Sequence, residues 1–311
     1  VVVVAETPAG PAQRKAEEIL SRARHAPADR KNDVLRELVG LGPDGALALV
    51  SILEKLNDDD LRFAGRALRE IRSPALKEPV KALLGSSSPL IRAEAVATLA
   101  ALGVESDHLA DPSPAVRAAA LEAAAIFKSR AAFERAVAMC ADPHPELRRQ
   151  AVRTSFLLAR EHELGQALAE ALARVLGGEA PPAARVEVLD ALGRLRNAGA
   201  WAAAAEELKS ESPDVRAAAA RCLGELRTAE ATEAMAEAIA TETVSEVKVA
   251  LAEAAGRLGD GELVPDLIAR LSDPDPKVVR AAADALSRIT RQNHGVSRAR
   301  WEAYWAKVQG R

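Results

Sequence analysis

Apolar residues recur along most of this chain at the spacing of amphipathic helices, and short polar turns separate the helices. In one stretch, the turn that begins at Asp273 is followed by Val278, Ala282 and Leu286 on one helical face. Pro276 suits the first turn of this helix, because a helix does not use the backbone N–H at that position. The pattern therefore predicts a turn followed by a helix with one buried face.

Variants of this turn and helix recur through the sequence with a most common spacing of 31 residues. A spacing of this length fits a pair of short helices and not the seven-residue repeat of a coiled coil. Each unit contains an apolar helix, a turn rich in Asp, Ser and Pro, a second helix rich in Ala, and a short loop. One such pair cannot bury its apolar faces alone, so we expect successive pairs to stack on a continuous core.

Three stretches are the clearest copies of the turn and the helix start that follows: Asp111 to Arg117, Asp142 to Arg148, and Glu211 to Arg216. They resemble HEAT repeats of the short, Ala-rich type that is also found in phycobilin lyase-like proteins. The resemblance covers residues 14–290. It implies an all-α fold, an α-α superhelix (HEAT-repeat solenoid) of about nine helix pairs with a C-terminal capping helix. It also implies a scaffold with a binding surface rather than a particular activity.

Along the chain, we predict a disordered N-terminal segment over residues 1–12 and one solenoid over residues 13–311. The repeat spacing is short at residues 103–111, where we expect a loop or a stub in place of a first helix, and long at 177–182, where a loop is inserted. Such breaks change the curvature or present a loop to a partner, and the alternative is ordinary drift between repeats.

The last predicted helix, within residues 296–311, carries Trp301, Tyr304, Trp305 and Val308 at helical spacing. A solenoid needs a cap over its last helix pair, and an amphipathic aromatic helix supplies one. The alternative for these residues is a site that stacks an aromatic ligand or a base.

Acidic residues in the turns and arginines at the starts of the second helices form a repeating set that we interpret as structural. The Asp caps helix N–H groups, and the Arg ties turns together within a repeat or between repeats. A catalytic role for these residues is the less favoured interpretation. The set consists of Asp111, Arg117, Asp142, Arg148, Arg216, Asp273 and Arg280.

Opposite charges four residues apart mark one side of the second helices in the last four repeats. The pairs are Asp190 with Arg194, Arg221 with Glu225, Glu253 with Arg257, and Asp284 with Arg288. One interpretation is helix stabilisation, at about 0.2–0.5 kcal/mol for each pair. The other is a charged groove with arginines as anchors, which binds a protein or peptide. The predicted contact residues are Arg194, Arg221, Glu225, Arg257 and Arg288.

Composition narrows the remaining function classes. A net charge of −3 argues against a general nucleic-acid binder or a polybasic membrane binder, and no run of apolar residues is long enough to span a membrane. Neither His-x-x-x-His nor Cys-x-x-Cys occurs. We therefore predict no catalytic residue, no metal and no cofactor, a protein or peptide partner, no nucleic acid, and a monomer. The rival hypothesis is a HEAT-like enzyme or nucleic-acid binder of the DNA glycosylase or lyase type.

Three smaller features have their own interpretations. The acidic run Asp58 to Asp60 fits a helix start, with a cation site as the alternative. Cys140 and Cys222 lie in separate repeats, which predicts two buried small side chains rather than a disulfide. The segment Val1 to Ala5 resembles the end of a secretory signal, which favours export over a cytoplasmic location.

Overall fold

A computed structural model describes residues 10–310, and this part of the chain contains 18 α-helices and no strand. The predicted signal remnant, Val1 to Ala5, lies outside the described residues. The first helix begins at Pro11, so the last two residues of the predicted disordered segment 1–12 are helical. The physical reason is that proline is well accommodated at the first helical position.

The chain divides into two compact units, unit 1 over residues 1–135 and unit 2 over residues 136–311. Both are built of the helix pairs of an α-α superhelix, as the sequence predicted. A single solenoid over residues 13–311 stays a prediction.

Within its described part, unit 1 has the first helices α1, α3 and α5 alternating with the second helices α2, α4 and α6, and the second helix α7 follows α6 directly. Their bounds are α1 Pro11–His25, α2 Lys31–Val39, α3 Gly42–Ile52, α4 Asp58–Ile71, α5 Lys77–Leu83, α6 Pro89–Ala101 and α7 Pro114–Phe127. The next helix, α8 (Phe133–Ala138), contains the boundary between the units.

Unit 2 continues the alternation, and its second helices are α9, α11, α13, α15 and α17. The bounds are α9 Pro145–Glu161, α10 Gly165–Leu176, α11 Pro182–Leu195, α12 Trp201–Glu206, α13 Pro213–Leu226, α14 Thr232–Thr241, α15 Ser245–Leu258, α16 Val264–Arg270, α17 Pro276–Thr290 and α18 Arg298–Val308.

The second helices share their start signals and many share their stop signals. Most begin with proline, which has a preset φ and lacks the N–H that the first turn leaves unused. Many end at a residue with positive φ, the left-handed conformation that closes a helix. The initial prolines are Pro89, Pro114, Pro145, Pro182, Pro213 and Pro276. The left-handed end residues are Arg72, Lys128, Arg196, Arg227, Gly259 and Arg291.

In unit 2 the second helices pack side by side, α11 on α13, α13 on α15 and α15 on α17. Glycine allows the closest of these approaches. A Cβ atom added to Gly224 would lie 2.8 Å from Ala254 Cα, and one added to Gly256 would lie 3.0 Å from Ala285 Cα. Small residues at these contacts therefore set the narrow spacing of the row of helices.

Both breaks in the repeat spacing are loops, as predicted. No helix occurs between α6 and α7, across residues 102–113, so the second helix α7 follows α6 directly. Residues 177–181 form the inserted loop between α10 and α11.

The final helix, α18, packs against α16. Trp301 is completely buried, and its indole Nε1 donates a hydrogen bond to the backbone oxygen of Gly295 at 2.8 Å. His294 lies against this indole with 4.7 Å between ring centroids. Val308 departs from the predicted apolar face, because it is 55% exposed at the end of the helix. The burial of Trp301 anchors α18 beside α16, and its role as a C-terminal cap stays a prediction.

Candidate interaction groove

A cation occupies the fourth position of the second helices α6, α7, α9, α11, α13 and α15, arginine in five of them and lysine in α15. We call these residues the turn row. Each of the arginines donates to backbone oxygens of the turn that precedes its own helix; Arg216 Nη1, for example, donates to Ser210 O at 2.9 Å. The members are Arg92, Arg117, Arg148, Arg185, Arg216 and Lys248.

Several side chains of the turn row also reach an acid in a later turn. Arg92 makes two hydrogen bonds to Asp111, at 2.9 and 3.0 Å. Lys248 Nζ donates to Asp273 at 2.9 Å. Asp111 and Asp273 in turn accept N–H bonds from Ser113 and Asp275. The acid thus caps its own turn while it holds the cation of the preceding repeat.

Arg148 differs in its partner. Its Nε and Nη2 atoms donate to Glu187, in the middle of α11, at 3.2 and 3.1 Å. The Arg148 side chain is almost completely buried. Asp142, in the turn before α9, accepts an N–H bond from His144 at 2.9 Å.

Arg280 does not belong to the turn row. The fourth position of α17 is Val279, and Arg280 is exposed one residue further along the helix. One residue turns a side chain by about 100° around a helix axis, which points Arg280 away from the turn. Other second helices, such as α7 and α13, have Val and Arg at their third and fourth positions, whereas in α17 a second valine, Val279, takes the fourth position and moves the arginine to the fifth.

The electrostatics of the turn row follow from these bonds. The hydrogen bond from Arg92 lowers the pKa of Asp111, despite partial burial. Burial by itself would raise the pKa of Asp273, but the hydrogen bond and charge of Lys248, the N–H of Asp275 and the charge of Arg270 outweigh it and lower the pKa. At Glu207 burial prevails over the charge of Arg185, so that the pKa of this carboxyl is raised.

A groove of about 830 Å³ lies on the side of α11, α13 and α15 that carries the predicted contact residues. Leu189, Gly193 and Cys222 are among its apolar lining residues. Its charged lining residues are Asp190, Arg194, Arg196, Arg221, Glu225 and Arg257. The groove thus has four arginines against two acids, whereas the whole chain has a net charge of −3.

The ion pairs in this groove run mainly between helices rather than along one helix. Arg221 on α13 lies 3.8 Å from Asp190 on α11, and Arg257 on α15 lies 3.7 Å from Glu225 on α13. Of the predicted pairs along one helix, Glu253 with Arg257 is present at 3.5 Å. Side-by-side packing of the second helices brings the charges of adjacent repeats about as close as charges one helical turn apart.

Two predicted contact residues have distinct surroundings. Arg194 is exposed, and its guanidinium lies over the ring of Phe156 at 5.3 Å from the centroid. Arg288 is exposed on α17 and is outside the lining of this groove. The structure therefore brings Arg194, Arg221, Glu225 and Arg257 together and leaves Arg288 apart.

The groove extends beyond the predicted residues. An adjoining groove of about 300 Å³ shares Asp190 and Arg194 and adds Arg149 and Arg153 of α9. Arg153 was not among the predicted contact residues, although it occupies the ninth position of its helix, as Arg221 does in α13. Counting positions from the helix-initial proline would have placed Arg153 on the same face.

Unit 1 has a groove of a different character on α4, α6 and α7, with a volume of about 740 Å³. Its lining is mostly alanine, and Ile126 is 65% exposed at this surface. Arg62, Arg69 and Arg72 are the lining residues that α4 and its end contribute. This surface was not predicted from the sequence, since the alanines that form it look the same as those that pack between helices.

The acidic run and the two cysteines, which the sequence also offered as possible sites, have structural explanations in their immediate surroundings. Asp60 of the acidic run is buried and accepts a hydrogen bond from Arg24 Nε at 2.7 Å, while Asn57 caps α4. Cys140 and Cys222 are free and buried, and burial raises the pKa of each thiol to about 12.

Within residues 10–310, no group of three or more His, Cys, Asp and Glu side chains is arranged to hold a metal ion. Over the same residues, no helix combines the length and apolar character needed to cross a bilayer.

Comparison with known proteins identifies the repeats. The family described as HEAT repeats matches residues 166–255 and 245–299. No curated protein matches the sequence. The matched segment includes α11, α13 and α15 and therefore the groove of unit 2. The chain is a HEAT-repeat protein over this segment.

Several solved structures resemble this chain, and one of them, with a TM-score above 0.5, supports the fold. A chain in the structure of Kap95p with RanGDP is 14% identical, with a TM-score of 0.60; the match covers 96% of this chain and 46% of that one. An engineered protein is 21% identical over 95% of this chain and 89% of its own, with a TM-score of 0.48. Human deoxyhypusine hydroxylase in complex with glycerol is 19% identical, with a TM-score of 0.37; the match covers 90% of this chain and 98% of that one. At these identities the likeness concerns the fold alone. The family match and the fold together define a helical-repeat protein of the HEAT type over residues 166–299.

Proposed function

We propose that this protein is a non-catalytic interaction scaffold and that a protein or peptide binds the groove of unit 2. The observation that carries the proposal is the convergence of charged residues from three repeats. Arg194, Arg221, Glu225 and Arg257 lie far apart in the sequence and line one groove. Repeat proteins commonly use such surfaces, built from equivalent positions of successive repeats, to bind partners.

The groove is supported by a packed set of helices, which favours binding at low ordering cost. Gly193 and Gly224 belong to the contacts that hold α11, α13 and α15 together. Because these helices are fixed by close packing, a partner needs to order only the arginine side chains at the surface. Arg221 is 43% exposed and Arg257 is 31% exposed, so both are accessible and partly supported by their neighbours.

The test is an affinity pull-down from a lysate of the source organism, with protein and nucleic acid analysed separately. The double variant Arg221→Glu/Arg257→Glu reverses two charges in the groove. The matched control, Arg280→Glu/Arg300→Glu, reverses two exposed charges of unit 2 that do not line it. Circular dichroism establishes that both variants keep the helical content of the wild type.

We expect a protein that the wild type and the control retain and the groove variant loses. The same set of proteins on all three baits would contradict the proposal. Nucleic acid retained in a way that depends on Arg221 and Arg257 would favour the nucleic-acid-binding hypothesis instead.

A further inference from the structure

The groove of unit 2 and the adjoining groove present one arginine from each of four neighbouring second helices. These are Arg153 on α9, Arg194 on α11, Arg221 on α13 and Arg257 on α15. We propose that the partner is an acidic segment of a protein, bound in an extended conformation across these four helices. The inference rests on the proposed function of this groove and adds the chemistry of the partner.

Three arginines of the groove, Arg194, Arg221 and Arg257, keep hydrogen-bonding capacity, whereas Arg196 donates to Glu225 at 3.1 Å. Among the described residues, no carboxylate lies within ion-pair distance of Arg194, whose recorded contact is the ring of Phe156. Arg221 and Arg257 are 3.8 and 3.7 Å from the acids on the neighbouring helix, and Arg257 is 3.5 Å from Glu253 on its own helix. All three distances exceed the usual 2.7–3.2 Å of an N–H···O hydrogen bond. The N–H donors of these guanidinium groups therefore remain available to a carboxylate from outside.

The turn row provides an internal comparison on the same helix. Arg216, near the start of α13, makes hydrogen bonds of 2.8 and 3.1 Å to Glu242 and is largely buried. Arg221, on the same helix, lies 3.8 Å from Asp190 and is 43% exposed. The arginines of the turn row are thus closely paired, whereas Arg194, Arg221 and Arg257 of the groove are not; Arg196 is the groove arginine with a close partner, Glu225 at 3.1 Å.

The charge in the groove selects an acidic ligand. The larger groove has four arginines and two acids. The adjoining groove adds Arg149, Arg153 and Glu187, and Glu187 already accepts both hydrogen bonds from Arg148. A ligand carboxylate is attracted to this local excess of positive charge, and it fits the fork of a guanidinium in a bidentate arrangement.

Helix spacing defines the spacing of acids in the ligand. Packed helices lie about 8–10 Å apart, and a fully extended chain advances about 3.3–3.6 Å per residue. Three residues of the ligand therefore advance it by one helix. Arg153 and Arg221 occupy the ninth position of their helices and Arg194 and Arg257 the thirteenth, so they alternate by about one turn along the helix axes. An acid at every third position comes opposite each of these long side chains in turn, so a segment of about ten residues spans the site.

The experiment measures binding of labelled peptides to the full chain by fluorescence anisotropy. The probe is a peptide of about twelve residues with Asp at every third position and Gly, Ser and Pro between them. One control peptide has Asn in place of each Asp, and a second has the same Asp residues in one consecutive block. A single-stranded oligonucleotide of similar length and charge is the non-protein probe. The protein variants are Arg194→Ala/Arg221→Ala/Arg257→Ala and the control Arg280→Ala/Arg300→Ala.

We expect the spaced Asp peptide to bind at least about tenfold more tightly than the Asn peptide, and severalfold more tightly than the block peptide. The triple variant should lose about tenfold in affinity, and the control variant should bind as the wild type does. Raising the NaCl concentration from about 50 to about 300 mM should weaken binding, because exposed ion pairs are screened.

Equal binding of the Asp and Asn peptides, no measurable binding of the spaced peptide, or an unchanged affinity in the triple variant would overturn the inference. Tighter binding of the oligonucleotide through the same arginines would also overturn it. A pull-down partner that depends on Arg221 and Arg257 but binds through a neutral segment would refute the acidic ligand and leave the proposed function intact.

Discussion

Arg216 on α13 holds Glu242, at the end of the first helix of the next repeat, through two parallel hydrogen bonds. Nε donates to Oε2 at 2.8 Å, and Nη2 donates to Oε1 at 3.1 Å. The remaining Nη1 atom donates to Ser210 and Glu211 oxygens in the preceding turn. Glu242 also accepts the N–H groups of Thr243 and Val244. One guanidinium therefore connects two consecutive turns of the solenoid.

Replacing Arg216 with Met should destabilise the protein, because it leaves Glu242 and the turn oxygens with unsatisfied hydrogen bonds. We expect the free energy of unfolding to fall by about 1–3 kcal/mol. Urea denaturation followed by circular dichroism measures the loss. Arg280→Met is the matched control, because Arg280 is exposed, and its effect should stay within about 0.5 kcal/mol. Equal losses in the two variants would show that the turn row does not contribute to stability.

Two glycines at equivalent positions should respond in opposite directions to the same substitution. A Cβ at Gly224 would be 2.8 Å from Ala254 Cα, a backbone atom that cannot move aside cheaply, so Gly224→Ala should destabilise by about 1–3 kcal/mol. A Cβ at Gly193 would be 3.5 Å from Cys222 Cα, which is ordinary contact, and Gly193→Ala should stabilise by up to about 1 kcal/mol through helix propensity. Thermal unfolding of both variants tests the difference, and a shift of the same sign in both would contradict it.

Most of the fold could be predicted from the sequence, because the signals are local and repeated. The helices α13 and α17, for example, begin at Pro213 and Pro276, and proline is a residue that suits the first helical position. The loops at 102–113 and 177–181 follow from a shortened and a lengthened spacing. The HEAT-repeat assignment over residues 166–299 confirms the resemblance seen in the motif.

The partners of individual charges could not be predicted, because they depend on how far apart the helices pack. The sequence suggested that Asp190 pairs with Arg194 on its own helix, whereas the structure has Asp190 facing Arg221 on the next helix. Likewise, Asp273 binds Lys248 and not Arg280, since Val279 shifts Arg280 out of the turn row. The sequence predicted which face of the second helices carries the groove. That the groove extends to Arg153 could be seen only from the packing of α9 beside α11.

The carboxylate of Asp273 should make stability depend on pH in the acid range. Its pKa is lower in the folded protein than in the unfolded chain, so its stabilising contribution is present above the unfolded value of about 4 and is lost as the pH falls through the folded value. We expect the stability difference between wild type and Asp273→Asn to be largest near neutral pH and to shrink as the pH is lowered towards about 3. Urea midpoints across this range measure it. Asp284→Asn, on the exposed side of α17, is the matched control for loss of one carboxylate.

The two thiols should be unreactive in the folded protein. Cys140 and Cys222 are almost completely buried, and burial raises the pKa of both thiols to about 12, so very little thiolate exists near pH 8. A chromogenic thiol reagent should therefore react far more slowly with the native chain than with the chain in denaturant, where both thiols are titrated. Fast reaction of one native thiol that Cys222→Ala abolishes would show that the floor of the groove opens to solvent.

Trp301 should determine whether α18 acts as the C-terminal cap. It is completely buried and bonded to Gly295 O, and α18 packs on α16, so Trp301→Ala removes the main anchor of this helix. Truncation of a buried tryptophan usually costs about 3–5 kcal/mol, but in a solenoid the loss concentrates in the terminal repeat. Hydrogen exchange should therefore accelerate in α16 and α18 and stay close to the wild-type rate in α11. Val308→Ala, at an exposed position of the same helix, should leave exchange in α16 unchanged. If Trp301→Ala also left α16 protected, the last helix pair would be stable without α18, and the aromatic residues of this helix would have to be explained by binding rather than by capping.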